Sequence, residues 1–307
     1  MGTFIGHVYP GLFLFLYGLY QAIVVSKAVL ASDSLLNSSC PPRSKGRWAK
    51  LWEISYRGLV KMVTGSILIA YEISCTKGTL TLMNRELPPR FMFPKEWQHL
   101  TMFLLLSLSG CADVTSKNLL PRRCVLLERG ALVLTFYVLL MLLSSHIRDS
   151  TGVELQVHCL LILVVFLLML VLTVELWAPN AFPLSLIETF LFLMMGSWLV
   201  QAGFILYRPV TGYPWQDDDI SDIMFVTTFF CWHMMTNALC LLGIYGISSF
   251  WHRHCSPSSK LTRSKEAPDC ANAEGPAYTL LPEVERSEED DQAQARLLPE
   301  SSPRDRA

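Results

Sequence analysis

Five of the chain's seven histidines stand in, or at the ends of, long apolar runs: His7, His99, His146, His158 and His233. Imidazole titrates near neutral pH and is the commonest nitrogen ligand for metal ions. Glu72, Glu154 and Asp222, with the Asp217-Asp218-Asp219 run, fall at the same ends as the first four histidines, and Asn237 follows His233 by one helical turn. Imidazoles with carboxylates suit zinc or copper, or a pH-sensitive hydrogen-bonded network. No two of the five have the i, i+4 spacing of a metal site on one helix, so a site must be assembled across helices. Independent structural histidines give the same pattern, and the sequence alone commits no metal ligands. Asp113, Glu175 and Glu188 lie deep in apolar runs at the opposite ends. An ionisable group at a bilayer centre costs roughly 2.5–3.5 kcal/mol or more. These acids are expected to pair with basic turn residues such as Arg122 or Arg123, with a proton path as the alternative.

The elements that must position these groups are membrane helices. Hydrophobic residues make up 51% of the chain, and the charged ones gather in short clusters and in the last fifty or so positions. Uncharged runs near twenty residues match a hydrocarbon core of ~30 Å crossed at ~1.5 Å per residue. Spans are predicted at 8–30, 52–74, 98–116, 125–145, 154–176, 183–206 and 222–250. The second is the weakest, because Glu53, Arg57 and Lys61 occupy its first half. The fold class is therefore all-α: a polytopic bundle of seven transmembrane helices over 1–251, in contact with the lipid bilayer. The periodicity does not suggest a barrel. A net charge of -1 argues against a nucleic-acid partner.

Lys and Arg near the helix ends set the orientation. Arg43, Lys45, Arg47, Lys50, Lys117, Arg122, Arg123, Arg253, Lys260, Arg263 and Lys265 fall on one face, against Lys77, Arg85, Arg90, Lys95, Arg148 and Arg208 on the other. The richer face is cytosolic by the positive-inside rule. The N-terminus is then extracellular or lumenal and the C-terminus cytosolic, in the plasma membrane or an endomembrane. Asn37-Ser38-Ser39 is a glycosylation sequon that this topology places in the cytosol, where it stays unmodified. No basic region precedes the first apolar run, so no cleaved signal peptide is expected. Gly6 stands where a myristoylation motif wants Ser or Thr.

Residues 252–307 are rich in Pro, Ser, Glu and Asp and include the acidic run "EVERSEEDDQAQ". Such a segment buries too little surface to offset its ordering entropy and is expected to be a disordered cytosolic tail. Within it, Tyr278-Thr279-Leu280-Leu281 has the tyrosine-x-x-bulky form of a sorting motif, for which Tyr278 and Leu281 would contact a clathrin adaptor. Most of the nine cysteines lie in or beside spans as apolar packers, with Cys124 and Cys255 placed for palmitoylation.

The segments "GHVYPG" at 6–11, "EWQHLTMFLLLSLSG" at 96–110, "MMGSWLVQAGFILY" at 194–207 and "IMFVTTFFCWH" at 223–233 resemble the transmembrane protein 45 family. The resemblance implies a multi-pass membrane protein and no established reaction. Relatives look histidine-rich around the turn between spans four and five, where this chain has Arg148 and Gln156, which weakens a metal site. A receptor is unsupported, since the Asp-Arg-Tyr and Asn-Pro-x-x-Tyr signatures of G-protein-coupled receptors are missing. The leading expectation is a non-enzymatic component of transport, sorting or signalling, with its small-molecule ligand unknown. The alternatives are a histidine-dependent intramembrane hydrolase with zinc as cofactor, like the seven-span alkaline ceramidases, and a proton- or metal-coupled carrier. The ceramidases look for His-x-x-x-His in the last span, and here the second position is Asn237. The carrier lacks a visible inverted repeat.

Overall fold

The structure, a computed structural model, describes residues 3–35, 55–76, 80–121, 123–178 and 181–255. The sequon at Asn37, Arg122, nearly all of the tail, and Tyr278 and Leu281 lie outside the described residues.

Seven α-helices account for most of the described chain: α1 (Phe4–Leu35), α2 (Tyr56–Cys75), α3 (Pro94–Val114), α4 (Val125–His146), α5 (Gly152–Glu175), α6 (Phe182–Tyr207) and α7 (Ile220–Cys255). Each of the seven expected spans finds its helix, with ends shifted by a few residues. Proline sets two of the starts: Pro94 and Pro183 stand in the first turns of α3 and α6, where a missing N–H leaves no bond unmade. The last helix runs to Cys255, past the expected tail boundary at 252. Every helix except α3 is long and apolar enough to cross a membrane. The 21-residue α3 has the length but carries Trp97-Gln98-His99 at one end and Asp113 at the other.

The helices meet through glycine. α1 and α6 run antiparallel, so close that a Cβ added at Gly11 would lie 2.9 Å from the Gly196 carbonyl oxygen. α2 and α3 do the same: a Cβ at Gly110 would lie 2.6 Å from the carbonyl oxygen of Gly58. In lipid, where apolar side chains gain little by leaving their surroundings, such close backbone contact is a main source of helix association. α5 and α6 form the centre of the apolar core, with Val165, Leu168 and Trp198 fully shielded and Val226 of α7 packed with them. The buried Trp198 indole N–H donates to the Val157 carbonyl at 3.0 Å, tying α6 to α5. The outward faces stay apolar: Leu239, Leu242, Ile247 and Phe250 of α7 are all exposed. A helix apolar on its open face suits lipid better than water.

A candidate site at the histidine end of the bundle

Four of the five singled-out histidines come together. His7 is in the first turn of α1, His99 in the second turn of α3, His146 ends α4, and His158 is in the second turn of α5. Neighbouring ring centroids are 5.3 Å apart for His99 and His146, 5.6 Å for His146 and His158, and 6.0 Å for His158 and His7. His7, His146 and His158 are buried. Alternating helix direction brings these residues to one end, as counting spans anticipates.

Each ring has an oxygen acceptor at Nδ1. The Nδ1–H of His7 donates to the Thr3 carbonyl at 3.1 Å, and that of His158 to the Glu154 carbonyl at 2.8 Å. His99 donates to Glu72 Oε1 at 3.0 Å, and His146 to Gln98 Oε1 at 3.0 Å. The Gln98 amide nitrogen faces Ser145 Oγ at 3.3 Å, which leaves its oxygen for His146. A carbonyl or carboxylate oxygen only accepts, so the partners assign the proton to Nδ1 in all four rings. In the neutral form, every ring then presents a lone pair at Nε2. Glu72 thus stands beside the cluster through His99. Gln98 was not anticipated, although it adjoins His99 in the "EWQH" segment.

The four imidazoles line one end of a cavity of about 180 Å³. Its walls are otherwise largely apolar, with Leu68, Phe103, Phe136, Leu139 and Phe192 among them, and its far end reaches Lys61 and Ser109. From His99 to Ser109 along α3 the slot is ~15 Å long.

The opposite end is closed by ion pairs. Lys61 Nζ lies 2.8 Å from Asp113 Oδ2 and donates to Ser109 Oγ at 3.2 Å. Arg129 Nη1 lies 3.1 Å from Glu175 Oε2. Glu188 is buried and hydrogen-bonds with Gln21 and Glu175. For Asp113 and Glu175 these contacts correct the expected pairing with the basic turn, of which Arg122 lies outside the described residues. Arg123 instead clasps Glu128, at 2.8 Å from Nε to Oε1 and 2.6 Å from Nη2 to Oε2. That hydrogen bonding holds the guanidinium above its ordinary pKa. Lys61 and Arg129 were the missed partners. A lysine inside the second span was itself a signal, since a lone cation in hydrocarbon needs an anion.

His233 and Asn237 stand apart from the cluster. The His233 ring packs edge-on against Trp198, centroids 5.8 Å apart, between α6 and α7. Asn237 is buried and donates to Ser197 Oγ at 2.8 Å and to the Met194 sulfur at 3.3 Å. The position at which the ceramidases carry a second histidine is thus a packing amide here. Thr236, the residue before it, is exposed. Asp222 accepts the Gln216 N–H at 2.7 Å in the turn before α7, and Glu154 contributes its backbone carbonyl to His158. As the side chains stand, no three His, Cys, Asp or Glu among the described residues are arranged to hold a metal ion.

A model described as a family of unknown function (DUF716) matches residues 126–246, from the start of α4 to well inside α7. The chain is 66% identical to transmembrane epididymal protein 1A of Mus musculus over 307 residues, the whole of both chains. Transmembrane epididymal protein 1 of Rattus norvegicus is 62% identical over the same full length. Transmembrane epididymal protein 1 of Homo sapiens is 66% identical over 275 residues, which is 90% of this chain and all of the relative. With six helices long and apolar enough to span a bilayer, this is a multi-pass membrane protein, and it belongs to the transmembrane epididymal protein 1 family.

Proposed function

We propose that the chain is a non-enzymatic membrane protein that holds an amphipathic guest inside its helix bundle. The apolar body of the guest lies in the slot between α1, α3 and α4, and its polar end meets the four imidazoles. The observation that supports this reading is the cavity itself: about 180 Å³, walled mainly by aliphatic and aromatic side chains, with polar groups concentrated at its ends. A dry cavity of ~150 Å³ with such walls is already large enough for a benzene-sized guest. Ligand sites are commonly apolar clefts with a few convergent polar groups.

In this reading all seven helices cross the membrane. The histidine end is extracellular or lumenal, and the ion-paired end is cytosolic, as the basic residues indicate. The role is transport, sorting or signalling, with Tyr278 and Leu281 offered to a cytosolic adaptor.

Extraction of the detergent-purified protein and mass spectrometry of the extract test the reading. Wild type should carry a stoichiometric lipid-like molecule. Leu139→Trp, which fills the slot, should lose it while remaining folded. Equal lipid content in a folded Leu139→Trp protein contradicts the proposal.

A further inference from the structure

We propose that the head of the guest is an uncharged hydroxyl: the slot takes a single-chain alcohol whose O–H donates to the imidazoles. This rests on the reading of the cavity as a guest site and names the class of guest. The first support is the hydrogen bonding at Nδ1. Each ring gives its Nδ1–H to an oxygen, of the Thr3 and Glu154 carbonyls, the Gln98 amide or the Glu72 carboxylate. The neutral rings therefore offer acceptors at Nε2, and they do so as they stand, with no ring turned. Among the described residues, the polar atoms sealed inside without a partner are Gln21 Oε1, Trp97 Nε1, Ser107 Oγ and Ser150 Oγ. No imidazole nitrogen is in that group, although Nε2 of His7, His146 and His158 meets no protein partner among the described residues. These Nε2 atoms thus open on the cavity that the rings line.

The placement of charge is the second support. Among the described residues no Asp or Glu lines the cavity, so an ammonium head would enter it without a counter-ion. Lys61, the one lysine or arginine on its wall among those residues, sits at the far end and is matched by Asp113 at 2.8 Å. A carboxylate head would bring acceptors to acceptors, again with no counter-ion beside it. Burying an unpaired charge costs far more than burying a hydrogen-bonded hydroxyl. A hydroxyl also accepts, so it suits His99 beside Glu72 in either protonation state of that ring.

The shape of the site narrows the class further. A cavity of about 180 Å³ takes one chain of medium length and not the paired chains of a phospholipid. The rings follow one another at 5.3, 5.6 and 6.0 Å. One O–H donates to a single Nε2, so a head with two adjacent hydroxyls satisfies more of the string than a lone one.

The test uses the full chain in an amine-oxide detergent, whose head donates no hydrogen bond. Thermal unfolding is followed with octanol, the vicinal octanediol, methyl octyl ether, octanoate and octylamine, each corrected by the slot-filled Leu139→Trp protein. The diol should bind best and octanol next, with the ether, the acid and the amine at least about tenfold weaker than octanol. His146→Phe/His158→Phe should lower the preference for octanol over the ether, and His233→Phe should leave it unchanged. The ether keeps the chain and the oxygen and lacks only the donor, so the wild-type comparison decides even where the double variant fails to fold. Ether, acid or amine binding as well as octanol overturns the inference and spares the proposed function. No stabilisation by any probe, with no lipid-like molecule in the wild-type extract, defeats both.

Discussion

The two ends of the bundle treat polar groups in opposite ways. At the end marked by Lys61, the deep acids Asp113 and Glu175 each face a cation on a neighbouring helix. Each of these two carboxylates is thereby matched by a cation within the bundle. At the histidine end, each imidazole has one nitrogen occupied and one lone pair free. Both ends bury polar groups. The lysine end pairs its charges within the protein, whereas the histidine end leaves acceptors to be met by a guest. The contrast separates groups that hold the bundle from groups that can bind.

The largest effect that could break this contrast is Lys61→Met. It leaves Asp113 buried without its cation and should cost about 3–5 kcal/mol in unfolding experiments. Adding Asp113→Leu should recover most of the loss. If Lys61→Met alone is neutral, the lysine end is not structural. The next effect belongs to the histidine end. Glu72→Gln keeps an oxygen near His99 but removes the carboxylate, and should lower the lipid-like guest recovered by mass spectrometry with little change in unfolding. A loss of stability without a loss of binding would put Glu72 with the structural groups. The smallest effect is expected for Arg123→Ala. The Arg123 side chain is 54% exposed, so its pair with Glu128 should contribute less than ~1 kcal/mol, and salt should diminish that further.

Helix number and the histidine end were legible from sequence because both depend on one-dimensional quantities, run length and the parity of crossings. Partner choice was not. Asp113 is four residues from Lys117 in the chain and was assigned to the nearby basic turn, yet it pairs with Lys61, fifty-two positions away. The reason is the glycine-lined crossing of α2 and α3, which brings Lys61 within reach of both Ser109 and Asp113. His233 shows a second limit. Depth along a helix could be counted, but its azimuth turns the ring towards Trp198 and away from the cavity. Asn237, one turn on, could be recognised as polar but not as a donor to Ser197. Gln98 was visible beside His99, and only the neighbouring α4 shows that its oxygen belongs to His146.

The central claim is that one end holds and the other binds. Thermal unfolding of Lys61→Met beside His146→Gln/His158→Gln, with the co-purified lipid-like guest of each measured by mass spectrometry, tests it most directly. We predict that Lys61→Met unfolds well below wild type yet still carries the guest while folded. The histidine variant should unfold near guest-free wild type and carry little guest, since a ligand that binds only the folded state stabilises it. A histidine variant that keeps the guest, or a Lys61→Met protein that alone loses it, would contradict the account.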